Sequence, residues 1–135
     1  LPPKRLSVVP DFDFSPLDES HKRLEASAWK YEKALAGVKK GFLSAEHKSQ
    51  VNQLLREVEQ AMTRSDGLPR RKWFKNMIYA PGFYTGYGVK TLPGIREGLE
   101  ERNWDETHFY ILEVAKALDR AAAKINAAAD ILKAS

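Results

Sequence analysis

The sequence predicts an all-α fold: an antiparallel helical bundle of three long helices and one short one, with a long irregular loop between helices two and three. Three observations carry this. Apolar residues recur at steps of three and four through most of the chain, which is the spacing of one helix face. Ser, Asn, Pro and Gly stand where helices need starts and stops. Residues 78–88 break the pattern, with three glycines in the last seven positions, three aromatics beside them and no charge.

Residues 1–14 carry Pro2, Pro3 and Pro10 and no helical period, so they read as an extended lead-in from an upstream domain absent from this chain. The start at Leu1 rather than Met is read as the edge of an excised piece. The domain proper is then 15–135. Ser15 is a natural cap and Pro16 suits the first helical position. Asp18 and Glu19 follow in the first turn, where the helix dipole favours negative charge. Leu24, Ala28, Tyr31, Leu35, Val38 and Phe42 step by fours and threes, so helix one is placed over 16–40. Lys39, Lys40 and Gly41 supply a cationic last turn and a terminating glycine.

Ser44 caps the second helix, placed over 45–64 on the stripe Val51, Leu54, Leu55, Val58, Ala61 and Met62. The short connection makes helices one and two antiparallel neighbours. Residues 65–92 are the long irregular region, a length that compact domains reserve for a job. Met77, Ile78 and Tyr79 read as a short extended piece within it. Pro93 restarts a short helix that ends near Arg102. Asn103 or Asp105 caps the last helix, whose wide stripe runs from Ile111 to Leu132. Its alanines over 121–129 favour helix formation and allow close helix–helix approach, either internally or with another subunit.

The 135 residues fit one domain with a modest core, and 43% apolar content is ordinary for a globular chain. The net charge of +4, from 22 basic and 18 acidic residues, is too small to specify a partner. Absence of cysteine excludes disulfides and cysteine-based metal sites. No apolar run approaches a membrane span, and nothing has the layout of a signal peptide.

Catalytic motifs are missing. His21, His47 and His108 lie on separate expected helices without metal-ligand spacing, so no metal site is assigned. There is no Gly-x-Ser-x-Gly elbow and no phosphate-binding glycine loop. Arg70, Arg71 and Lys72, followed by Trp73 and Phe74, form the one dense basic cluster. Basic residues interleaved with aromatics can bind nucleic acid. The plainer reading is a solvated turn whose aromatics enter the core. The loop pairs glycines, which permit close backbone approach, with Tyr79, Tyr84 and Tyr87, whose rings also carry a hydroxyl. It either lines a partner's pocket or folds back over its own bundle.

Gly67-Leu68-Pro69, the aromatic pair Trp73-Phe74, then Ile78-Tyr79-Ala80-Pro81, Tyr87 and Pro93-Gly94-Ile95 occur in an order that resembles the transferrin receptor-like dimerisation domain. The resemblance is strongest to the C-terminal helical domain of the glutamate carboxypeptidase (prostate-specific membrane antigen) group and covers about residues 11–134. It implies a homodimerising domain with no catalysis of its own. It also implies a parent that is a type II membrane protein with a lumenal, vacuolar or extracellular di-zinc peptidase domain. Zinc belongs to that absent domain, and no cofactor is implied for this piece.

In the family, the irregular loop closes the peptidase's substrate pocket. The resemblance therefore makes Tyr84, Gly86 and Tyr87 pocket residues, with Tyr79, Pro81, Gly82, Gly88, Pro93 and Gly94 as scaffold. Tyr87 matches the tyrosine of a lysine–tyrosine pair that holds a C-terminal glutamate substrate. Gly86 falls where the lysine stands. Losing that charge-assisted contact costs on the order of 1.5–3 kcal/mol, which implies a weaker preference for terminal glutamate. The expected partners are a second copy and the parent's peptidase domain, without nucleic acid and without membrane contact by this segment. The alternative is a freestanding basic helical module that binds nucleic acid or a protein.

Overall fold

The last helix organises the rest. The computed structural model describes residues 2–3, 5–38, 42–81 and 89–135. In chain order the elements are α1 (Ser15–Gly37), α2 (Ala45–Ala61), β1 (Tyr79–Pro81), β2 (Val89–Thr91), α3 (Pro93–Glu100) and α4 (Trp104–Ala134). Helix α4 has 31 residues, a rod about 46 Å long. Helices α1, α2 and α3 each pack principally on it. The all-α bundle with three long helices and one short one is therefore the observed architecture.

Cross-helix partners fix the directions. Arg23 pairs with Asp119 and Lys30 with Asp130, so α1 runs parallel to α4. Glu57 pairs with Lys124, and Arg120 donates to the Ala61 carbonyl, so α2 runs antiparallel to α4. Helices α1 and α2 thus point in opposite directions, as the short connection requires. They meet mainly through α4 rather than face to face.

The ends show why these residues form these helices. The Asn103 side chain accepts from the Glu106 amide, which caps α4, and Ser44 caps α2 through the His47 amide. At α1 the structure differs from the sequence reading. Phe14 is the N-cap, and Asp13 one residue earlier accepts from both the amide and the hydroxyl of Ser15. Helix α1 also stops at Gly37, with Val38 already extended, rather than at residue 40. Glycine holds a helix poorly and is a common terminator. Lys39, Lys40 and Gly41 lie outside the described residues.

The buried stripe of α1 is rotated from the expected one. Ser20 and Ser27 are buried, with Leu24, Tyr31, Ala34 and Val38 half-buried, while Ala28, Leu35 and Phe42 are exposed. The reason is the close approach to α4, whose Ala121, Ala122, Ala128 and Ala129 are buried. Ser27 satisfies its hydroxyl on the Arg23 carbonyl one turn back, so a small polar residue replaces an apolar one at no unpaired cost. The alanine segment of α4 therefore makes an internal helix–helix contact.

Two hydrophobic clusters sit along α4. One gathers Leu68, Met77, Ala80, Ile95, Tyr110, Ile111, Val114 and Ala117 around its N-terminal half. The other gathers Val51, Ala128 and Leu132 near its C-terminal end, with Tyr31, Ala34, Val38, Leu54 and Leu55 packed against them. The first lies beneath the irregular region and positions it.

Candidate functional site

The irregular region is built as a series of tight tethers rather than a slack connection. Thr63 bridges Asn76, and Leu68 bridges Arg71, closing a compact turn. Gly67 enters that turn at φ +69, and a Cβ there would lie 2.2 Å from the Lys72 carbonyl oxygen. Only glycine fits so close to another backbone at that φ. The Tyr110 hydroxyl donates to the Gly67 carbonyl at 3.3 Å from within the core. Burial pushes the Tyr110 hydroxyl above its ordinary pKa, so it keeps its proton and remains a donor.

A two-stranded antiparallel ribbon follows. Tyr79 faces Thr91, Ala80 faces Lys90, and Pro81 faces Val89. Sequence reading placed an extended piece one strand short, at 77–79, and did not foresee its partner. Strand β1 is set by Asn76, whose side-chain oxygen accepts from the amides of Ile78 and Tyr79 at 2.8 and 3.1 Å. Strand β2 is closed by the Leu92 amide on the Ile78 carbonyl, at 2.6 Å. Leu92 adopts φ 45, a left-handed conformation unusual for a branched residue, and Pro93 then starts α3.

A buried ion cluster lies under this ribbon. The Arg71 guanidinium reaches both Glu97 oxygens at 2.7 Å, with the Arg71 side chain 3% exposed. Lys90 Nζ sits 2.7 Å from Glu100 Oε2 and 3.9 Å from Glu97 Oε1. The turn at 68–74, the ribbon and α3 are joined through these four side chains. Isolated charges would be costly here, and the pairing offsets part of that cost.

The expected scaffold residues are placed as follows. Tyr79 is half-exposed, with its hydroxyl 3.4 Å from Glu59 Oε1. Pro81 ends β1. Pro93 and Gly94 are buried at the start of α3. A Cβ on Gly94 would lie 2.5 Å from the Tyr110 ring, so glycine is what lets α3 reach α4. Gly82, Tyr84, Gly86, Tyr87 and Gly88 lie outside the described residues. The ribbon bounds both ends of their segment.

The basic cluster is not one surface. Arg71 is buried against Glu97, and Arg70 lies 3.7 Å from Glu106. Lys72 is exposed, and Trp73 is 72% exposed, whereas Phe74 packs on the core. The turn reading thus holds for Phe74 and fails for Trp73, which points outward. Sequence reasoning missed Asn76 and Glu97 and did not foresee the pairing of Lys90. Asn76, immediately ahead of the extended piece, was the one local signal, because Asn favours such turns. The Arg71–Glu97 pairing spans 26 residues and left no periodic trace.

Among the described residues, no group of three His, Cys, Asp or Glu could hold a metal ion. His47 instead meets the Ser135 hydroxyl at 2.9 Å. No helix among them is long and apolar enough to cross a membrane.

Two relatives are similar to this chain. A probable glutamate carboxypeptidase of Arthroderma benhamiae is 30% identical over 131 residues, which is 92% of this chain and 17% of that protein. A probable glutamate carboxypeptidase of Arabidopsis thaliana is 32% identical over 79 residues, which is 53% of this chain and 12% of that protein. The chain therefore spans less than a fifth of the length of these relatives. The sequence profile of the transferrin receptor-like dimerisation domain matches residues 12–126. The chain belongs to the transferrin receptor-like dimerisation domain family.

Proposed function

We propose that this chain is the homodimerisation domain of a glutamate carboxypeptidase-like zinc peptidase, and that its 82–88 segment completes the peptidase's substrate pocket. The observation that carries the reading is the family match over 12–126, joined by two relatives named as carboxypeptidases. The ribbon supports the second part. A segment intended to meet a substrate needs ends that do not move, and here both ends are tied into the core and to α3.

In this reading the fragment has no catalysis of its own. Zinc and the hydrolytic groups belong to the peptidase domain, and the chain's partners are that domain and a second copy. Residues 1–14 are the junction with it. The longer protein is a type II membrane protein with this domain on its lumenal, vacuolar or extracellular side. Tyr87 and Tyr84 offer hydroxyls to substrate, and Gly86 offers no side chain. Lys90 is no substitute cation, because it is held by Glu100 and Glu97.

The test is steady-state kinetics on the longer protein with Tyr87→Phe and, separately, Gly86→Lys. Tyr87→Phe is expected to raise KM or lower kcat. Gly86→Lys is expected to raise kcat/KM for peptides ending in glutamate by about tenfold to a hundredfold, the worth of one charge-assisted contact. Unchanged kinetics in both variants would remove the segment from the substrate pocket. Nucleic-acid binding is the weaker reading, because Arg71 is spent on Glu97 inside the fold.

A further inference from the structure

The geometry points to the open face of α4 as the surface on which a second copy of this chain docks, with the two α4 helices antiparallel and the two-fold axis at Ala123. This rests on the homodimer reading above and adds the surface and register to it.

Helices α1 and α2 grip α4 from its two sides. Arg23, Ser27 and Lys30 of α1 approach Asp119, Ala122 and Asn126. Glu57, Gln60 and Ala61 of α2 approach Arg120 and Lys124. Between them runs a largely open strip of α4, with Arg64 over the Phe109 ring and Lys30 on Asp130 at its edges. Cavities of 520 and 420 Å³ flank it, and exposed Ala123 borders both. Along the strip lie Phe109, Leu112, Lys116, Ala123, Asp130 and Ala134, all exposed. Two of these are large apolar side chains, Phe109 and Leu112, 41% and 37% exposed.

The strip is complementary to itself. Lys116 and Asp130 stand seven residues before and after Ala123, close to two whole turns, so all three share one line. An antiparallel copy centred on Ala123 sets Lys116 of one helix against Asp130 of the other, twice over. Leu112 and Ala134 stand eleven residues before and after, so a large side chain meets a small one. Ala123 at the crossing lets the rods come close. Both charged side chains are 65% exposed and reachable, although Lys116 now rests on Glu113 and Asp130 on Lys30. Arg120 and Asp119, the nearer charges, are already engaged by the Ala61 and Thr63 carbonyls and by Arg23. A closed two-fold contact of this kind is self-limiting at a dimer.

Charge reversal tests it in the 135-residue chain by sedimentation velocity, with circular dichroism as the check on folding. Lys116→Glu alone and Asp130→Lys alone each place two like-charge pairs in the contact. Each variant is expected to weaken self-association about tenfold or more while staying folded. Mixed one to one, they restore both pairs, and heterodimers form with affinity near the wild type. Native mass spectrometry distinguishes them from homodimers. Variants that dimerise like the wild type, or a mixture that stays monomeric, overturn this surface while leaving the homodimer reading intact. A wild-type chain that stays monomeric at every concentration removes self-association by this domain altogether. Loss of the dimer only on altering residues away from α4 assigns the contact elsewhere.

Discussion

Arg71 and Glu97, separated by 26 residues, lock the turn at 68–74 to helix α3 through a buried ion pair with both carboxylate oxygens 2.7 Å from one guanidinium nitrogen. Removing one partner takes the strongest contact from a charge that stays buried, even with Lys90 3.9 Å from Glu97. Arg71→Met is expected to cost about 3 kcal/mol in urea unfolding. The double variant Arg71→Met with Glu97→Leu should recover most of that loss. If the double variant is no better than the single, the pair is not an isolated electrostatic unit.

Gly94 faces the Tyr110 ring with no room for a methyl group. Gly94→Ala should therefore push α3 off α4 and destabilise the fold by about 2 kcal/mol. Adding Tyr110→Leu should return part of it, because the smaller side chain leaves space. Equal stability of Gly94→Ala and the wild type in thermal unfolding would mean that α3 adjusts freely.

Gly37 gives the opposite case. A Cβ there meets nothing within 4 Å, and the residue is helical. Gly37→Ala should stabilise the chain by about 0.5 kcal/mol, from the lower conformational freedom of alanine in the unfolded state. A fall in Tm would show that the exit of α1 needs glycine.

Asp119 supplies a pH signature. The Arg23 guanidinium hydrogen-bonded to it holds its carboxyl below the ordinary 3.8. A folded value below the unfolded one means that the pair stabilises the fold above pH 3.8, and that this contribution fades as pH falls below it. Wild type and Asp119→Asn should differ in Tm at neutral pH and converge on acidification below 3.8. A constant gap down to low pH would remove Asp119 as the titrating group. Solvent access to both side chains keeps the effect small.

The helices were legible because each carries its own signals. Ser44 and Asn103 cap as their residue types demand, and the α4 stripe from Ile111 to Leu132 is buried as its period requires. Helix α1 shows where pattern reading fails. Apolar spacing pointed to Ala28 and Leu35, but close packing on alanines selected Ser20 and Ser27 instead. Burial of a small hydroxyl that bonds its own helix is invisible to a hydrophobic count. The ribbon was half visible, since Met77, Ile78 and Tyr79 suggested extension without naming a partner. Lys90, Glu97 and Arg71 look like surface charges in sequence, and only the fold brings them together.

The unequal clusters along α4 set an order of melting. Tyr110, Ile111, Val114, Met77 and Leu68 anchor its first half, while the buried cluster at the other end holds Val51, Ala128 and Leu132. Few large side chains there mean little apolar surface to re-expose, so that end opens at low cost. Amides of α2 and the last turns of α4 should exchange with deuterium through partial opening. Those from Thr107 to Ala117 should wait for the whole molecule to unfold.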